Sequence, residues 1–391
     1  MKEYILKDIL NERKEYCEKG KEYVHVTLSK EGIHEKTERF DRDFLVKDDN
    51  KKYKITRLND ICYNPANLKF GVICLNEYGN AIFSPIYVTY YLKKEYVNEI
   101  NIKYLNYILT SSKFLQKVRR YEQGTVYERM AVNSSDFLKM KITIPEISEQ
   151  ERIIKVLERN NRIIEISRES LKETNKFIDL EFIRMFGNPI TNEKKWNISK
   201  LGDLGELKNG MNFNRDEKGC SVKFLGVGDF NKGYILNDFN SLEYVGLNQK
   251  PPEEYLLKNN DIIFVRSNGS KELVGRSLIV DDIIEDITYS GFCIRYRNKS
   301  SKINPKFLIY IFQSKQFFKY LKRASGGTNI NNINQQILSS LKIILPKLEE
   351  QKKFINLVEK LEKKNTLLKI QLKNYENLKK CLEQNFLNKC I

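Results

Sequence analysis

SEQERIIKVLERNNRIIEISRESLKETNKFIDLEFIRMFG, from Ser148 to Gly187, has an apolar residue at every seventh place: Leu157, Ile164, Leu171, Ile178 and Met185. Charged and polar side chains fill most of the space between them, so the stretch predicts a long helix with one narrow apolar seam. Ser148 and Glu151 offer a capping box at its start. Gly187-Asn188-Pro189 offers a stop, because Gly suits the C-terminal cap and Pro cannot continue the ladder.

The pattern returns near the C-terminus as Phe354, Leu361, Leu368, Tyr375 and Leu382, entered through Glu349 where the first copy has Ser148. Moved by 201 positions, the first ladder falls on Val358, Asn365, Leu372, Lys379 and Phe386. The second falls on Ile153, Asn160, Ser167, Thr174 and Glu181. Each helix is strong on a row where its copy is weaker, which is the pattern of two helices that pair with each other. A repeat also joins the residues before each helix. KYLNYILTSSKFLQKVRRYEQGT (Lys103 to Thr125) aligns without a gap on KFLIYIFQSKQFFKYLKRASGGT (Lys306 to Thr328), and IPEISEQERI on LPKLEEQKKF. Asn59-Asp60-Ile61 answers Asn260-Asp261-Ile262, and LKDIL loosely answers LGDLG. A unit of about 200 residues present twice argues for two domains rather than a solenoid.

Each unit opens with a lobe rich in short β-branched and aromatic runs. YVHVTL, ICYN, FGVICL and IYVTYYL in the first, and VKFLGVGDF, DIIFVRS, GRSLIV and GFCIRYR in the second, read as strands. YLNYILTSSKFLQKV reads as a helix.

The net charge of +17 lies mostly in the lobes: +5 over residues 1–147, zero over 148–186, +8 over 187–347 and +4 beyond. Residues 287–348 hold no acidic side chain against eleven Lys and Arg. Solvated surface lysine explains a modest excess; it does not easily explain an acid-free run of that length. Seven scattered cysteines without a C-x-x-C pair, and two histidines, His25 and His34, give no zinc site and suit a reducing compartment. The charged N-terminus and the lack of a long apolar run read as a soluble cytoplasmic protein without membrane association.

Catalytic signatures are missing. Phe224-Leu225-Gly226-Val227-Gly228 spells the glycine turn of adenine methyltransferases, yet reads better as a strand ending in a turn. Lys250-Pro251-Pro252-Glu253 and Tyr63-Asn64-Pro65-Ala66 each fail the flipped-base motif at two positions. There is no phosphate loop and no nucleophile elbow.

Two variable lobes alternating with two similar helices, each entered through P-x-[IL]-x-E-Q (Pro145 to Gln150, Pro346 to Gln351), resemble the specificity subunit of type I restriction-modification systems. KLGDLGELKNG, NDIIFVRSNGS, INPKFLIYIFQS and the SGGTN stretch ending at Asn329 carry the resemblance in the second lobe; the first departs more. The resemblance implies an α+β chain with two mixed α/β target recognition domains, 1–147 and 188–347. Two long helices, 148–187 and 348–391, would form an antiparallel coiled coil in a pseudo-twofold internal repeat. Each lobe would read one half of a split double-stranded DNA target, and the helices would dock two methyltransferase subunits, with restriction subunits as further partners. Catalysis, S-adenosylmethionine, ATP and Mg2+ would belong to those partners, with no cofactor or metal on this chain.

Phosphate contacts are then expected from Lys315, Lys319, Lys322 and Arg323, and in the first lobe from Lys113, Lys117, Arg119 and Arg120. Base readout is expected around Gln123 to Arg129, at Arg266, Asn268 and Lys271, and at Thr328, Asn329, Asn331 and Asn332. Ordinary turn residues are an equal reading of those loops. A two-component type II specificity subunit, a stand-alone methyltransferase or nuclease, and a purely structural coiled-coil protein are the competing functions.

Overall fold

A computed structural model describes residues 1–18, 23–36, 52–121, 132–213, 219–231, 233–269, 272–324 and 332–391. The chain divides into two compact units, Met1–Arg168 with Lys369–Ile391, and Glu169–Leu368. The division falls inside the long helices, Ile147–Phe186 and Leu348–Leu387, and not at their ends. The reason is packing, since the ends of each helix are part of a lobe's core. Ile153, Ile154, Leu157 and Leu387 join the first core. Ile178, Phe182, Phe186, Phe354, Ile355 and Val358 join the second.

In the first unit a four-stranded antiparallel sheet runs in the order Leu10–Glu12, Val88–Leu92, Ile61–Tyr63, Ile73–Leu75. A five-stranded sheet places Val24–Ser29 parallel to Ala81–Phe83, and Lys2–Ile5 pairs with Lys141–Ile144. Helix Ile102–Thr110 buries Tyr104, Leu105, Ile108 and Leu109 at the i, i+1, i+4, i+5 spacing of one face. Tyr63 and Tyr90 stack on Phe137 at 4.9 and 5.5 Å between ring centroids. The helix segments meet antiparallel, with the Arg152 guanidinium 5.6 Å from the Phe386 ring and Asn160 Nδ2 donating to Tyr375 O at 3.2 Å.

The second unit repeats the plan. Gly205–Asn209, Cys293–Asn298, Ile262–Val265, Ser277–Val280 and Ile235–Leu236 form its main sheet. Cys220–Leu225 lies parallel to Ile287–Tyr289, and Asn197–Lys200 pairs with Lys342–Leu345. Phe186 meets Phe307 at 4.7 Å and Phe182 meets Phe354 at 5.5 Å, again with the helix segments antiparallel. Burying one such phenylalanine is worth about 2–3 kcal/mol.

The two duplicated motifs are structural. Asn59 and Asn260 take left-handed backbone, φ 67° and 70°, which Asn tolerates. The buried Asp60 and Asp261 that follow accept from the backbone of Arg57 at 2.7 Å and Lys258 at 2.8 Å. Gln150 Oε1 accepts from Asn101 N, and its Nε2 donates to Glu99 O and Pro145 O. Gln351 does the same with Asn304 N, Lys302 O and Pro346 O. Both amides are fully buried and bolt the start of a long helix to its lobe.

Two details differ from the sequence reading. The first long helix begins at Ile147, so Ser148 lies inside the first turn and not at the cap. The second row of the seam is also buried: Asn160, Ser167 and Asn365 are 4 %, 6 % and 2 % exposed. Gly187 stops the first helix as read, with φ 73° and its N–H on Ile183 O at 2.8 Å.

Candidate nucleic-acid interface

In the second unit several loops converge at one end of the main sheet. Arg266 follows the strand Ile262–Val265; its N–H donates to Phe292 O at 2.8 Å and its carbonyl accepts from Ile333 N at 2.9 Å. Ser267 bridges antiparallel to Asn332. The sheet ladder thereby brings the half-buried Arg266 and Asn268 to the same edge as the exposed Asn332. Strand Gly205–Asn209 feeds the same edge, with Gly210 N on Cys293 O and Met211 N on Tyr289 O.

The basic helix Lys315–Ala324 starts at Ser314, whose hydroxyl accepts from Phe317 N at 3.1 Å. Phe317 and Leu321 face the core, while Lys315, Lys319 and Arg323 are exposed and the Lys322 ammonium sits 5.0 Å from the Phe318 ring centroid. At about 100° per residue the four cations share the face opposite the two buried residues. Gly275, φ 84°, lies beneath this helix, and a Cβ there would come within 2.7 Å of Leu321 Cδ2. Only glycine allows that close approach in that backbone conformation, so the hairpin that starts at Arg266 is held against the basic helix.

The first lobe copies this frame but not its chemistry. Ser111 accepts from Phe114 N, and Gly71, again at φ 84°, lies beneath Leu115. Val132 N donates to Pro65 O at 3.1 Å where the second lobe has Ile333 and Arg266. However, the helix is shorter, Ser112–Val118, with a single 3-10 turn after it. The Lys113 amine donates to Asn388 O and the Lys117 amine to Lys141 O at 3.1 Å. Burial, with Lys113, Arg120 and Lys141 nearby, pushes the Lys117 amine below the usual lysine range. Both are thus turned to carbonyls of the protein. Arg119 and Arg120, which align with Lys322 and Arg323, are exposed.

Gln123, Arg129, Lys271, Thr328, Asn329 and Asn331 lie outside the described residues. The sequence reading missed Phe292 and Ile86, two apolar residues 61 % and 60 % exposed. Their only signal is structural, because exposure cannot be read from an apolar letter in a strand-rich lobe. Phe224–Gly228 is the end of strand Cys220–Leu225 and a turn in which Gly226 N donates to Asp229 Oδ2. Among the described residues no cluster of three His, Cys, Asp or Glu could hold a metal, and no helix is long and apolar enough to cross a membrane.

Residues 193–375 match the family described as type I restriction modification DNA specificity domain. The chain is 24 % identical over 343 residues to the type I restriction enzyme StySPI specificity subunit of Salmonella potsdam, an alignment covering 84 % of this chain and 69 % of that one. It is 27 % identical over 273 residues to the MjaVIII specificity subunit of Methanocaldococcus jannaschii, covering 64 % and 61 %. In fold it is similar to the S subunit from M. genitalium, at TM-score 0.57 and 14 % identity over 98 % of this chain and 95 % of the other. A chain from a study of assembly and conformational transition in a type I R-M system gives TM-score 0.57 and 16 % identity over 99 % and 96 %. The matched domain lies almost wholly in the second unit, and the chain, with its duplicated α+β plan and two long helices, is similar in sequence and in fold to the specificity subunits of type I restriction-modification systems.

Proposed function

We propose that this chain reads a bipartite double-stranded DNA target, one half with each lobe, and directs two methyltransferase subunits, and with them restriction subunits, to it. The observation that carries the reading is the edge of the second lobe, where Arg266, Asn268 and Asn332 stand beside a hairpin packed on a helix with four cations on one face. Lysine and arginine neutralise phosphates and supply affinity. Guanidinium and amide groups offer the bidentate donors and acceptors that read base edges. The first lobe repeats the frame with different side chains, which supports reading of a different sequence. In this reading the antiparallel helices set the distance between half-sites and provide the docking surface. S-adenosylmethionine, ATP and Mg2+ bind to the partners, and the complex works in the cytoplasm.

The test exchanges residues 192–345 for the equivalent lobe of a relative and sequences methylated DNA from cells holding the matching methyltransferase subunits. One half of the target should change and the other remain. If both halves change together, or neither does, the lobes do not read separate half-sites.

A further inference from the structure

The loop between strands Ile287–Tyr289 and Cys293–Asn298 forms a turn, Ser290-Gly291-Phe292-Cys293, closed by Cys293 N on Ser290 O at 2.8 Å. Every backbone group of Phe292 is committed: its N–H donates to Ser290 Oγ at 3.1 Å, and its carbonyl accepts from Arg266 N at 2.8 Å and Ser267 N at 3.4 Å. Gly291 N donates to Met211 O, and a Cβ on Gly291 would collide with Asn212 Oδ1. The backbone is therefore fixed on both sides, while the phenyl ring stays 61 % exposed. A rigid backbone presenting a large apolar ring to solvent, beside Arg266 and the Ser267–Asn332 bridge, has no account in the packing of the lobe.

The first lobe places a turn at the same point of its sheet but without the carbonyl bonds of Phe292, since Pro65 aligns with Arg266 and has no N–H, and Ala66 N donates to Asn64 Oδ1. Ser84-Pro85-Ile86-Tyr87 is closed by Tyr87 N on Ser84 O at 3.1 Å, and the strand after it, Val88–Leu92, pairs with Ile61–Tyr63 as Cys293–Asn298 pairs with Ile262–Val265. Ile86 occupies the place of Phe292 and is 60 % exposed. Each turn therefore begins with serine and holds a different apolar side chain at its tip.

We propose that Phe292 and Ile86 are specificity residues that contact DNA bases, each the exposed apolar tip of the turn that leads into the matching strand of its lobe. The charge around Phe292 favours DNA as the occupant, since the turn opens within the acid-free run 287–348 and shares the edge with Arg266. Apolar side chains serve base recognition by touching the thymine methyl or by wedging a base step, and neither contact adds to phosphate affinity. The inference rests on the DNA-reading role proposed above.

The experiment uses the full chain assembled with its methyltransferase subunits, bearing Phe292→Ala, Phe292→Leu or Ile86→Ala. Methylated genomic DNA is sequenced, and binding to target and to non-target duplexes is measured over a salt series. Phe292→Ala should relax the half-site read by the second lobe and weaken target binding about 5- to 100-fold. Non-target binding and the salt slope should hold, and Phe292→Leu should retain part of the preference. Ile86→Ala should do the same to the other half-site alone. Replacing thymine by uracil in the affected half-site separates a methyl contact, which the parent loses and Phe292→Ala does not notice, from a wedge, which keeps its effect. An unaltered half-site with Phe292→Ala, or an equal loss on target and non-target DNA, overturns the proposal. If lobe exchange changes one half-site while Phe292→Ala changes none, only this inference fails.

Discussion

Asp261 is about 1 % exposed and its carboxylate takes two bonds from the Arg297 guanidinium, at 2.8 and 2.7 Å, besides the backbone bond from Lys258. Asp60 and Arg13 form the same pair in the first lobe at 2.7 and 2.8 Å. The arginines come from different places in the sequence: Arg297 lies within its strand, whereas Arg13 follows the neighbouring strand Leu10–Glu12. Asp261→Asn removes the anion from a guanidinium that is 17 % exposed, and should cost about 3–5 kcal/mol. The double variant with Arg297→Met should recover part of this loss. Urea unfolding of both variants checks it, and an unchanged midpoint for Asp261→Asn would show that the pair adds nothing. The Asn-Asp-Ile repeat was legible as letters, but its role was not, because an aspartate in a turn reads the same whether it caps, pairs or points to water. The apolar tips were harder still. Ile86 and Phe292 lie 206 positions apart while the surrounding motifs repeat at 201 and 203, so insertions hide the correspondence that strand pairing restores.

At the scale of elements, the seven-residue ladders were readable because a helix turns the same face inward at that period. Every residue of both ladders is buried or half-buried. The sequence could not say what the weaker rows do. Asn160 and Asn365 are buried there, each with an Oδ1 that has no partner. Asn160→Leu, matching Leu361 in the other copy, should raise stability by about 1 kcal/mol, because an unpaired buried carbonyl is exchanged for apolar surface. A polar residue in a helix seam also fixes register, so the variant should populate alternative pairings visible as extra oligomers by light scattering. An unchanged or lower melting temperature would show that the bond to Tyr375 outweighs the gain. The basic helix offers a second measurement. Replacing Lys319, Lys322 and Arg323 by alanine should weaken binding to all duplexes and reduce the logarithmic salt slope by about 0.9 for each true phosphate contact. An unaltered slope with folding intact would place this face away from DNA. In the first lobe the Lys113 and Lys117 amines reach carbonyls of the protein while Arg119 and Arg120 stay exposed. The spacing does not show this difference, because it gives the face a lysine is on and not the carbonyl its long stem can reach.

For the whole molecule, the decisive feature is that both long helices cross from one compact unit to the other, the first after Arg168 and the second after Leu368. If they are the ruler for the two half-sites, one heptad inserted at each crossing preserves the seam and lengthens both helices by about 10.5 Å. The methylated site should then keep both half-sequences and gain about three base pairs between them, at about 3.4 Å each. Sequencing modified DNA decides this; an unchanged gap with full activity would assign the spacing to the partner subunits. The crossing also imposes an order in time. The second unit is one unbroken run of chain, whereas the first needs residues 1–168 and then 369–391, with Leu387 and Cys390 sealed in its core. On the ribosome the unit begun first is therefore completed last, and until the final helical turns are synthesised its apolar floor stays open to chaperones.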